Sequence, residues 1–434
     1  MRTVPILVAA TAATVLLAGC GSTSAGTPQA EGADSTSSDT ATTASFDVDT
    51  LDTGEYRTEP RDFEADGINA ADFGPAVEGQ RMAEFVVLPH DIDPRLTDGA
   101  SMNNGVGVGG IAKSGLTNDA ARQALEPFDV ITTFTDFHGS PDDAYNLGVS
   151  VWRFADADQA AQAATALHTA ELTPPAADDI FASGPGTEVS LPTLPDTLAS
   201  TYRWETTETD TMSTFTARGP HVIYTYVSTT TGGTDWVSDT TTRTIERQIP
   251  MIDAFPFTPT DQIESLPVDV DKVLGRAVGF LENEYASNSD TAVYGPLGWL
   301  HFDSDPEETA ALFEETGTDR IARANSTVYR TDGPESALTL RDAFVAQTLD
   351  AYPDITEEAA PQNVPGTVCY GGDISQGRLT KCLIAYGPYL AEVAGFRAVG
   401  NTDPDDDTLR TLSQRVATQY VKFVRAEEMG LGEN

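Results

Sequence analysis

The chain has 434 residues, 40% of them hydrophobic, and a formal net charge of −42. That is length and apolar content for two globular domains. The acidity excludes nucleic-acid binding, which needs a basic footprint, and polybasic attachment to anionic lipid.

The chain opens with a short positive region, Met1-Arg2, and an apolar run from Ile6 to Leu17 broken only by Thr11 and Thr14. Leu17-Ala18-Gly19-Cys20 follows. This is the layout of a secretory signal, and its core of about a dozen residues falls short of the roughly 20 needed to span a bilayer. Leu-Ala-Gly-Cys resembles a bacterial lipobox. The expectation is that residues 1–19 are removed, that Cys20 is lipidated, and that the protein sits on the extracytoplasmic face of the membrane, anchored but not spanning. Residues 20–60 are expected to be linker. Gly21 to Ser45 is mostly Ser, Thr, Ala, Gly and Asp, which cannot bury a core and reads as disordered. About 25 such residues span roughly 25–30 Å.

A first domain is assigned to residues 61–260. Phe85-Val86-Val87-Leu88 reads as a strand, and His90, Asp91 and Asp93 cluster at its end, where ligands are often held. With His138 or His301 they would form an imidazole and carboxylate set. Nothing in the sequence brings those histidines together, so no metal is assigned, and an exposed acidic turn is the plainer reading. Gly105 to Gly110 fits G-x-G-x-x-G, but polar, turn-like residues precede it and the next helical pattern starts near Asn118. A flexible loop is expected there, not a dinucleotide site. Further on, a strand ends in Val151-Trp152-Arg153 and turns into an Ala-rich helix. A hairpin spans Thr201 to Ala217, and a Gly219-Pro220-His221 turn joins two more strands. Ile245, Ile249, Ile252 and Phe255 mark a closing helix with Pro250 as a kink.

The second domain is assigned to residues 261–434. In "GPLGWLHF", Trp299 and His301 alternate with Leu300 and Phe302. A strand here would put both on one face, as core or as the lining of a cleft between domains. Ser304-Asp305-Pro306-Glu307-Glu308 opens a helix. A second strand ends in Val328-Tyr329-Arg330, and the helix after it matches the first. Ala160 pairs with Ala337 and Leu167 with Phe344, at a constant offset of 177. Cys369 and Cys382 flank a turn-rich centre and read as a hairpin. A disulfide between its arms suits an exported compartment and would contribute up to roughly 3 kcal/mol. The rival reading, a redox pair, lacks Cys-x-x-Cys spacing. Gly387-Pro388-Tyr389 matches the earlier Gly-Pro turn, and Leu409, Leu412, Val416, Tyr420 and Phe423 form one face of a closing helix. Asp403, Asp405 and Asp407 alternate like a calcium loop, but Thr408 and Gln414 stand where Gly and Glu are required, so the stretch reads as a helix cap.

These patterns predict an α+β fold of two tandem, duplicated domains, each a mainly antiparallel sheet with helices packed on one face. No Gly-x-Ser-x-Gly, Ser-x-x-Lys or His-Glu-x-x-His occurs. No catalytic residue, cofactor or metal is therefore assigned. Paired acids for hydrolysis cannot be sorted among 67 carboxylic residues.

The lipobox and its tail, "YGPLGWLHFDSDPEETAALFEETGTDRIARANSTVYRT", and the cysteine hairpin with "AYGPYLAEVAG" together resemble a family of actinobacterial lipoproteins, the family numbered 7373 among domains of unknown function. The resemblance implies a cell-envelope location and two domains, and it brings no activity. The resulting expectation is a non-enzymatic binding or scaffold protein, with a small-molecule, lipid or envelope-protein partner between its domains. A carboxylate-based envelope hydrolase is the alternative.

Overall fold

The computed structural model describes residues 46–65, 70–98, 103–112, 119–174, 184–231, 233–282, 284, 290–400 and 407–431. Cys20, the signal segment, and Asp403 and Asp405 lie outside the described residues. The first half begins with α1 (Ala70–Ala83) and α2 (Pro89–Ile92). A module follows: β1 (Asn103–Val106), α3 (Gly107–Ala112), α4 (Asp119–Leu125), β2 (Val130–Gly139), β3 (Tyr145–Phe154), α5 (Ala157–Glu171), β4 (Thr187–Val189), β5 (Leu198–Trp204), β6 (Thr209–Arg218), β7 (His221–Thr229) and α6 (Gly233–Ala254). The second half repeats it: β8 (Ala292–Tyr294), α7 (Pro296–Leu300), α8 (Pro306–Thr316), β9 (Arg320–Arg323), β10 (Thr327–Arg330), α9 (Pro334–Ala351), β11 (Thr356–Glu358), β12 (Thr367–Ile374), β13 (Gly377–Tyr386), β14 (Tyr389–Ala398) and α10 (Thr408–Glu428).

The two seven-stranded sheets run β1-β2-β3-β7-β6-β5-β4 and β8-β9-β10-β14-β13-β12-β11. Every neighbouring pair is antiparallel. Strand for strand the order is the same, so the repeat legible in the sequence is a repeat of topology. The tandem antiparallel α+β expectation holds. Helices, however, cover both faces of each sheet and not one. Along β3, Leu147, Val149 and Val151 point into the core beneath α6, while Trp152 and Phe154 point into the core beneath α3, α4 and α5. In the second half Tyr329, Leu383 and Leu390 meet α7, α8 and α9, while Val328, Ile384 and Val393 meet α10. The central strands are apolar on both rows, and each row requires cover.

The α6 face of the first sheet and the α9 face of the second belong to one apolar core, with Met82, Ala83, Val86 and Val87 of α1 and its exit between them. Close approach is built into α1. A Cβ on Gly74 would meet the carbonyl oxygen of Ile263 at 2.1 Å, on the short 3-10 turn Thr260–Ser265 that leads to the second half.

Part of the expected linker is held in place. Phe63 belongs to the core beneath α10. Gln362 and Gln414 bond Asp52, and the Tyr56 hydroxyl donates to Glu284 at 2.8 Å. Residues 46–65 thus form a strap along the second half before the chain enters the first. The cysteine hairpin is β12–β13. Cys369 and Cys382 stand directly opposite each other, 4.1 Å apart at Cα, and form a buried disulfide.

Candidate functional site

The seam between the halves encloses three ionisable side chains. On β2 the Asp-x-His spacing of Asp136 and His138 puts both on one face of the strand. His301 caps the C-terminus of α7 in the other half. Its Nδ1 lies 2.6 Å from Asp136 Oδ2, and its Nε2 lies 3.1 Å from the Ala83 carbonyl oxygen. A carbonyl can only accept. Both ring nitrogens therefore face acceptors, and His301 bridges the Asp136 carboxylate and the Ala83 carbonyl. Asp136 Oδ1 lies 2.8 Å from Nδ1 of His138, off the ideal hydrogen-bond direction. Asp136 and His301 are wholly buried, and His138 nearly so.

Burial alone would raise Asp136, but His138 and His301 hold it below the usual carboxylate range. Burial alone would lower His138, but the Asp136 charge raises it. Glu84, raised by burial, accepts the Gly298 N–H at 2.6 Å and adds a second acid near His301.

A small pocket adjoins the cluster, lined by His90, Leu96, His138, Leu300, Asp303 and Ser304 among others. Its interior has room for about one water molecule. Burial pushes Asp303 up to about 6. Nδ1 of His90 is buried without a partner. Among the described residues no group of three or more His, Cys, Asp or Glu is placed to hold a metal ion.

The sequence candidates divide. His90 reaches the seam pocket, but from α2, because Pro89 starts a helical turn. Phe85 to Leu88 is not a strand. Gln248 of α6 binds its backbone in place of a sheet, accepting from Val87 N–H at 2.9 Å and donating to Phe85 O at 2.7 Å. Asp91 pairs with Arg247. Asp93 takes Arg95 and the Trp236 N–H, and those bonds hold it down at about 2. Trp299 lies on helix α7 and not on a strand, packed among Tyr294, Phe302 and Tyr329 as core. Of the named set, His90 lines the seam pocket beside His138, and His301 bonds the same Asp136 that His138 approaches. Asp136 itself was missed, though the Asp-x-His alternation was there to read.

The glycine run is also ordered. β1 and the six-residue α3 occupy it, and a Cβ on Gly105 would meet Gly110 Cα at 2.3 Å. The glycines let an edge strand press against a helix, so the expected flexible loop is replaced by close packing. Asp407 stands at the α10 N-cap with its carboxylate on Arg410, and the Asp305 side chain caps α8 through Glu308 N–H. Chemically, the seam cluster fastens the halves together; its pocket is too small for a substrate.

Comparison with known proteins agrees with the two-module build. No curated protein matches the chain. Among solved structures, the crystal structure of DynU16, from the dynemicin biosynthetic locus, aligns with 10% identity over 76% of this chain and 99% of its own, at a TM-score of 0.11, too low to carry an argument. The model described as "Domain of unknown function (DUF7373) N-terminal" matches residues 65–268, and its C-terminal counterpart matches residues 273–426. With both modules matched over most of its length, the chain belongs to the DUF7373 family.

Proposed function

We propose that this protein is a non-enzymatic binding or scaffold body tethered through lipidated Cys20 to the extracytoplasmic face of the membrane. The observation that carries this reading is the seam. One apolar core runs through both halves and closes over Asp136, with room beside it for about one water. That geometry supports a rigid two-lobed platform that engages an envelope partner from its outer surface, in place of a ligand held between the domains. The tether rests on the Leu-Ala-Gly-Cys sequence. The hydrolase alternative finds its best acid in Asp303, raised by burial to about 6, but in a pocket that admits no sugar or peptide.

The test is fractionation of cells producing the full chain or Cys20→Ser. The wild type should partition with membranes and take up lipid label, and the variant should be soluble and unlabelled. Membrane retention of Cys20→Ser overturns the tether. Turnover of a glycoside or peptide substrate that Asp303→Asn abolishes overturns the non-enzymatic reading.

A further inference from the structure

The duplication allows one copy to be checked against the other. Arg153 ends β3 and stands opposite His221 on β7, and Arg330 ends β10 and stands opposite Tyr389 on β14. The two arginines occupy the same rung of the same topology. Arg330 is neutralised. It donates from Nε and Nη2 to the two oxygens of Asp319 at 2.7 and 2.6 Å, a side-on fork, and Nη2 also reaches Asp271 at 3.1 Å.

Arg153 has no such partner. It is 1% exposed, yet among the described residues no carboxylate pairs with it. Its Nη1 donates to the Phe154 carbonyl, and its Nε is buried without an acceptor. The copies differ at the strand that leads in. Asp129 directly precedes β2 as Asp319 precedes β9, but β2 shifts register between Val130 and Thr132, and Asp129, exposed at that edge, makes no ion pair with Arg153. Glu78 and Asp156 are the nearest acids by charge. Glu78 is committed to Arg81 and to Thr258, and Asp156 caps α5. A guanidinium taken out of water without a counter-charge is costly, and it is anomalous in a chain with 67 acids.

What covers it is light. The Phe257 ring lies 4.9 Å from the Arg153 guanidinium and 5.8 Å from the His221 ring, and Phe257 is 45% exposed. Nε2 of His221 is buried and unpartnered beside it. We propose that Arg153 and His221, under the Phe257 ring, form a binding site for a small organic carboxylate, which takes the Nε edge of Arg153 as Asp319 takes that of Arg330. The fork geometry favours a planar carboxylate. Phe257 swings aside to admit it.

The full chain, purified with its anchor in detergent, is titrated with acetate and succinate at ionic strength held constant with chloride. Thermal melting and the His221 ring resonances are followed. A saturable rise in melting temperature, with a matching His221 shift, is expected for the wild type. Arg153→Gln should weaken binding by about tenfold or more, the worth of one charge-assisted fork. Phe257→Ala should lower the half-saturating concentration, and it keeps the test decisive if Arg153→Gln does not fold. No saturable response in either wild type or Phe257→Ala overturns the site, as does an equal response in Arg153→Gln. An equal response to phosphate overturns its carboxylate character. Any of these failures leaves the scaffold reading standing.

Discussion

His301→Ala is the most direct perturbation of the seam. The imidazole is wholly buried, bonds Asp136 and the Ala83 carbonyl, and packs edge-on against Phe134 with centroids 4.9 Å apart. Removing it leaves a buried carboxylate with one partner fewer and leaves the Ala83 carbonyl with the Val86 N–H alone, at 3.2 Å. A hydrogen bond to a charged group is worth about 1.5–3 kcal/mol, and breaking a buried ion pair from one side costs about 3–5 kcal/mol. The expected loss is therefore about 3–5 kcal/mol, read by urea denaturation of the Cys20→Ser variant. Asp136→Asn should also destabilise, and the double variant should lose less than the sum, with a coupling of about 0.5–3 kcal/mol. The pH dependence has a definite sign. His138 is raised above its usual 6.5 by Asp136, so its contribution is complete below about 6.5 and is lost as pH rises through the folded value. Asp136 is lowered below 3.8, so its share is present above that value and is lost only on acidification through the folded one. His138→Phe should flatten the alkaline side of the stability profile. A loss under about 1 kcal/mol for His301→Ala, or simple additivity with Asp136→Asn, would refute the interlock.

Two further predictions follow from the second half. Non-reducing peptide mapping should recover Cys369 joined to Cys382, and replacing both with Ala should cost up to about 3 kcal/mol; free thiols at both positions would contradict the bridge. Phe63→Ala should destabilise by about 3–5 kcal/mol and speed proteolysis between residues 46 and 65, because Phe63 seats the strap in the core beneath α10; an unchanged cleavage rate would show that the strap is held by its polar bonds alone.

The duplicated topology raises a physical point about the merged core. The modules share a strand order but meet through unlike faces, α6 side to α9 side. Each module's other face keeps a core of its own. The shared middle core makes the seam a stability element, and charges buried there act on both halves.

Much of the architecture was legible because it is locally encoded. The valine–aromatic–arginine strand ends, the Gly-Pro turns, the alternating arms around Cys369 and Cys382 and the apolar stripe of α10 follow from periods of two and 3.6 residues, which each segment carries by itself. The same locality misled at Phe85 to Leu88, where a strand-like run is completed by a side chain 163 residues away, and at Trp299, where a proline and a glycine start a helical turn that alternation cannot reveal. The tertiary structure alone decided which faces meet. It joined Asp136 to His301 across 165 residues and Asp52 to Gln362 across 310. It also left Arg153, among the described residues, without the carboxylate fork that Asp319 gives Arg330. Such partnerships depend on which apolar rows must be buried against one another, and that is a property of the assembled layers and not of any stretch of chain.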